Sequence, residues 1–112
     1  MKETAPGEQF GYNRKDVYHF MLKYLEERGK KVIDSEKRHW QHHDILTKSH
    51  VYHFMDPSAT VVLNGVHESM IYRYFIFSVF SDSSETEVKI LSELEKLAEE
   101  ESKKQLENLI VR

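Results

Sequence analysis

The stretch from Met70 to Phe80 constrains the fold more than any other part of this chain. It is dominated by Tyr, Phe, Ile and Val. Side chains alternate across a strand, so Tyr72, Tyr74, Ile76 and Phe80 fall on one face, and Ile71, Phe75, Phe77 and Val79 on the other. A strand apolar on both faces belongs in the interior of a sheet, covered on most of both sides. Left bare, the same run is the segment most prone to aggregate. The whole chain has 112 residues, enough for one hydrophobic core but not for two. One domain is therefore expected over residues 10–112, preceded by a loose polar arm over residues 1–9 that contains Pro6 and Gly7.

Around that strand the periodicities are readable. Val17, Phe20, Met21, Tyr24 and Leu25 form one helical stripe, with Asn13 and Asp16 in position to cap it and Gly29 to end it. A helix over about 14–28 follows. Lys31 to Asp34 is a short β-branched run that reads as a strand, and His50 to Met55 reads as another, closed by Asp56-Pro57. Ser35 to Lys48 fits no helical stripe, because Trp40, Ile45 and Leu46 do not line up; a strand over Asp44 to Lys48 fits better. Thr60 to Leu63, then Asn64-Gly65, then Val66 is the pattern of a two-residue type I′ hairpin. Ser84 with Glu87 makes a capping box, and a helix can run from about 85 to 110 behind it. The expected fold is α+β: an N-terminal helix, an antiparallel meander of three to five strands with an Asn-Gly hairpin, and a long C-terminal helix packed on the sheet.

Composition narrows the chemistry. The chain has no cysteine, which removes disulfides, thiol catalysis and thiolate metal sites. It has no run of about 18 apolar residues, so no membrane span is expected. The opening MKETAPGEQ lacks the layout of a secretory signal, so a cytoplasmic location is expected. Residues 84–112 hold five Lys/Arg and eight Asp/Glu, which accounts for the whole net charge of −3. General binding of nucleic acid is not expected from that balance. The basic residues Lys30, Lys31, Lys37, Arg38 and Lys48 are diluted by acids and make a weak footprint.

Six of the seven histidines lie between His39 and His67. His39, His42 and His43, with Asp44 as a fourth ligand or an orienting partner, could hold a divalent metal if the stretch were helical. An extended chain splits the trio between two faces, and exposed histidines are then the plainer reading. His67-Glu68 begins a zincin-like HExxH, but Ile71 stands where the second histidine would be. Neither a nucleophile-elbow motif nor a phosphate-binding glycine loop occurs. Asp34 and Glu36 sit two apart and read as solvated charge. The pentapeptide Val17-Tyr18-His19-Phe20-Met21 recurs as Val51-Tyr52-His53-Phe54-Met55. Nothing around either copy is repeated, so a helical array is rejected and the recurrence is read as chance.

The second helix carries the functional expectation. Leu91, Leu94, Leu97 and Ala98 should cover the sheet, while Leu106, Leu109, Ile110 and Val111 form a second apolar patch at its end. That patch either folds back on its own sheet or docks on another copy. The expected function is that of a small non-enzymatic binding or regulatory protein, with a protein partner or itself as homodimer and no cofactor. Leu106, Leu109, Ile110, Val111, Tyr72, Tyr74 and Trp40 are the candidate interface residues. The alternative is a histidine-based metal protein with sensing or hydrolytic chemistry.

Overall fold

The structure, a computed structural model, describes residues 2–3, 15–39, 45–68 and 72–110. Lys2–Glu3 forms strand β1, Lys15–Arg28 helix α1, Lys30–His39 β2, Ile45–Met55 β3, Ser58–Glu68 β4, Tyr72–Phe80 β5 and Ser84–Ile110 helix α2. The fold is α+β, as the periodicities require. All strands lie in one antiparallel sheet of order β1-β5-β4-β3-β2. Lys2 and Glu3, read from sequence as part of a loose arm, pair with Val79 and Ser78 on the far edge of β5. A two-residue pairing leaves no sequence pattern, because it rests on the neighbouring strand.

The chain therefore starts at one edge of the sheet and enters the meander at the other, and α1 lies between the two. Its 14 residues span about 21 Å at ~1.5 Å each, close to the ~19 Å across five strands at ~4.8 Å spacing. Val17, Met21 and Leu25 form its buried row, flanked by Tyr18, Phe20, Leu22 and Tyr24. The Gly29 amide donates to the Leu25 carbonyl at 2.9 Å and ends the helix. A Cβ at Gly29 would stand only 2.6 Å from the Phe54 ring, so glycine also permits the close approach of β3. The predicted cap Asn13 lies outside the described residues.

Helix α2 runs unbroken for 27 residues, about 40 Å, which matches the 41 Å longest dimension of the molecule. Its buried row of Ile90, Leu91, Leu94, Ala98 and Ser102 lies on the sheet side. Its cap is Ser83, not Ser84: the Thr86 amide donates to Ser83 Oγ at 3.3 Å. Glu87 instead accepts from the Ser81 amide at 3.0 Å, beyond the cap. In a serine-rich turn, spacing alone cannot say which hydroxyl meets the first free amides. No helix among the described residues is long and apolar enough to cross a membrane.

The meander departs from expectation at one point. Asn64-Gly65 is not a turn. It lies mid-strand in β4, with Asn64 opposite Ser49 and Ile76, and Gly65 opposite Lys48 and Phe75. The hairpin instead closes at Asp56-Pro57, with a cis peptide between them and Met55 opposite Ser58. A turn at Asn64-Gly65 would cut β4 in two and give up its pairing with both neighbours. The glycine has another use. Its Cβ would meet the Tyr18 ring at 2.7 Å, so a bare backbone lets α1 settle onto the sheet. The short strands expected at Lys31–Asp34 and Asp44–Lys48 extend to Lys30–His39 and, merged with His50–Met55, to Ile45–Met55.

Both helices pack on one face of the sheet. Tyr52, Val61 and Val79 form a rung across β3, β4 and β5 and are all 0% exposed. Leu63 and Phe77 form the next rung, and Phe75 the one after. Each side chain of this size contributes roughly 1.5–3 kcal/mol when buried. The opposite face has no helix on it among the described residues.

Candidate functional site

Of the four proposed metal ligands, His39 is the last residue of β2, opposite Ile45. His42, His43 and Asp44 lie outside the described residues, as does Trp40. Among the described residues no three His, Asp or Glu side chains are grouped so as to hold a metal ion. Leu106, Leu109 and Ile110 fall within α2, and Val111 lies beyond the described residues. Tyr74 and Tyr72 sit in β5 opposite Val66 and Glu68.

What the fold does bring together is a set the sequence gave no reason to connect. In β2 the pairing with β3 shifts between Lys31 and Ile33, leaving Val32 without a partner. Residues 31 and 34 of a regular strand point to opposite faces. This bulge puts both under α1, with Lys31 opposite Tyr52 and Asp34 opposite His50. Asp34 Oδ1 then lies 2.7 Å from His50 Nδ1, and Tyr18 Oη lies 2.6 Å from His50 Nε2. Lys31 Nζ closes the set at 3.1 Å from Asp34 Oδ2 and 3.2 Å from Glu26 Oε1. The contacts run from α1 at Tyr18 through β3 and β2 and back to α1 at Glu26.

Proton positions follow from the partners. The hydrogen bond from His50 and the one from Lys31 hold the Asp34 carboxyl below its usual range, so it is ionised and only accepts. His50 Nδ1 must then carry a proton, and in the neutral ring Nε2 accepts from the Tyr18 hydroxyl. Burial, reinforced by Tyr52 and Asp34, pushes the Tyr18 phenol up to about 12. Burial raises the Tyr52 phenol as well; its hydroxyl has no hydrogen-bond partner among the described residues. Lys31 lies 5.9 Å above the Tyr52 ring, and its ammonium is favoured by Asp34 and then Glu26.

The connectivity of hydroxyl, imidazole and carboxylate is that of an activated nucleophile. The electrostatics oppose that use. A phenol near 12 is almost wholly protonated at neutral pH, and its proton is already committed to His50. The circuit is satisfied within itself and ties α1 to the edge strand β2.

The other candidate is the helix-free face. Ile33, Val51, Val62 and Ser78 form one rung across it, and Ile76 and Phe80 continue it along β5. Ile33 is 55% exposed and Phe80 42% exposed. Along β3, β4 and β5 its centre holds Val51, Val62 and Ile76 among the neutral polar residues Ser49, Thr60, Asn64 and Ser78, and Glu68 takes a register position on it at the end of β4, opposite Ile45 and Tyr72. Lys30 and Lys37 of β2, opposite His53 and Thr47, and Glu3 of β1, opposite Ser78, bring further charged positions to its margins. No protein family, no curated protein and no solved structure matches this chain.

Proposed function

We propose that the protein is a small non-enzymatic interaction module that binds another protein surface through the helix-free face of its sheet. One observation carries this reading: β5 is apolar on both faces, and the helices cover only one of them. Phe75, Phe77 and Val79 are buried, while Ile76 is half-buried and Phe80 exposed on the other side. An antiparallel sheet with one face to water normally carries polar residues there. Val51, Val62 and Ile76 lie near the centre of this face, and the charged positions Lys30, Lys37, Glu3 and Glu68 lie at its margins, an apolar patch with a polar rim, as in a protein interface. The partner surface must be uncharged as well, since a charge set against Val51 and Val62 would lose water without gaining a counter-ion.

The test is native migration in extracts of cells that make the protein. The wild type should run above the 13.4 kDa of one chain, and a Val62→Lys variant with an unchanged circular dichroism spectrum should run at that mass. Identical migration of the two would reject the reading.

A further inference from the structure

We infer that a cleft between the two helices, on the covered side of the sheet and independent of the helix-free face, binds a small branched carboxylic acid. The cleft lies where the last turn of α1 passes the second turn of α2, and it encloses about 110 Å³. Phe54, Ile90 and Leu94 are buried and make its floor. Tyr24 of α1 and Pro57, in the turn after β3, complete the apolar wall. Arg28, Lys89 and Glu93 line it as well and are exposed, so they stand around its mouth. The spacing explains the arrangement: Tyr24 and Arg28, Ile90 and Leu94, and Lys89 and Glu93 are each four residues apart, one above the other on a helix.

Charge decides one end of the ligand. On the same side of the sheet Lys31 is answered by Asp34 and Glu26, and Lys48 by Glu36. Arg28 and Lys89 make no ion pair among the described residues, although Glu93 lines the same cleft. Arg28 is instead held over the Tyr24 ring, 5.7 Å from its centre. Two cations against one carboxylate leave the mouth positive, which suits an anion and not an ammonium. Size decides the other end. An apolar cavity of about 150 Å³ holds a benzene, so this smaller one has room for roughly four carbon atoms. A branched four-carbon tail with a carboxylate head, such as 3-methylbutanoate, sets the tail on Phe54, Ile90 and Leu94 and the head between Arg28 and Lys89. The head is ionised at neutral pH, and a guanidinium can take both of its oxygens in one plane.

The experiment titrates 3-methylbutanoate into the purified full-length protein and follows the backbone amides by NMR. Saturable shifts should appear at Tyr24, Arg28, Ile90 and Leu94, with a dissociation constant on the order of 1 mM, and not at Val62 or Ile76 on the helix-free face. 3-Methylbutylamine and 3-methylbutanol keep the tail and change the head, and each should bind about 10-fold more weakly or worse. Arg28→Gln and Lys89→Gln, at exposed positions and checked for an unchanged circular dichroism spectrum, should each weaken binding by about 10-fold. Glu93→Gln should tighten it, because it removes a like charge from the mouth. Four results would overturn the inference: shifts that do not saturate, shifts confined to the helix-free face, an amine or alcohol that binds as tightly as the acid, or an affinity that Arg28→Gln and Lys89→Gln leave unchanged.

Discussion

The two faces of this sheet are made of similar residues and have different fates. Under the helices, Tyr52, Val61 and Val79 are sealed in the core; one position along each strand, Val51 and Val62 are half-buried with no described helix over them, although Ser78 in the same rung is buried. Residue type does not separate the two rungs, since each contains valines. The covering layer does. The molecule is 21 Å thick, room for one helix layer on one sheet, and among the described residues no helix lies on the second face.

The covered face is also where the polar residues are most constrained. Tyr18, His50, Asp34, Lys31 and Glu26 meet there only because Val32 bulges out of the ladder and Gly65 leaves room for the Tyr18 ring. On the open face the polar residues near the centre are neutral, such as Ser49, which donates to Asn64 Oδ1 at 2.6 Å, and the charged positions Lys30, Lys37, Glu3 and Glu68 lie at the margins.

The sharpest way to break this comparison is to truncate neighbours on β5. Phe77→Ala should lower unfolding free energy by about 3–5 kcal/mol, while Ile76→Ala, measured at a dilution that keeps chains apart, should cost about 1 kcal/mol or less. Equal losses in urea denaturation would mean that both faces are core. A smaller effect is expected at Gly65. Gly65→Val should cost about 1–3 kcal/mol by pushing the Tyr18 ring off the strand, and most of that cost should vanish in a Tyr18→Ala background. The smallest concerns pH. Asp34 has a lowered pKa, so its contribution is present above the usual carboxylate range and lost as pH falls through its folded value. Tyr18 is raised to about 12, so its contribution is present below about pH 10 and lost as pH rises toward 12. Stability measured across pH should therefore flatten at the acid end in Asp34→Asn and at the alkaline end in Tyr18→Phe, with no change from Val62→Ala at either.

Much of the fold was legible in the sequence because helical stripes and alternation report directly on burial. The row Val17, Met21, Leu25 fixes α1 and its facing side, and the Phe75, Phe77, Val79 alternation fixes the covered side of β5. Asn64-Gly65 misled because turn propensity is local, whereas the reason for this glycine is a tyrosine ring on a helix far away in the chain. The circuit was illegible for a similar reason. Asp34 and His50 belong together only after the bulge has changed the parity of β2, and KKVID carries no mark of it. The recurring Val-Tyr-His-Phe-Met makes the same point. In α1 it buries Val17 and Met21, and in β3 it buries Tyr52 and Phe54, so its flanks decide which pair goes inward.

The bulge at Val32 has a consequence for how this chain can change in length. Losing a residue from a strand usually turns every following side chain to the other face. Val32 is opposite nothing, and Lys31 and Ile33 already pair with the adjacent positions Tyr52 and Val51. Removing it would leave Lys30 opposite His53, Asp34 opposite His50 and Glu36 opposite Lys48. In a strand that otherwise tolerates no deletion, this is the one codon the register can spare.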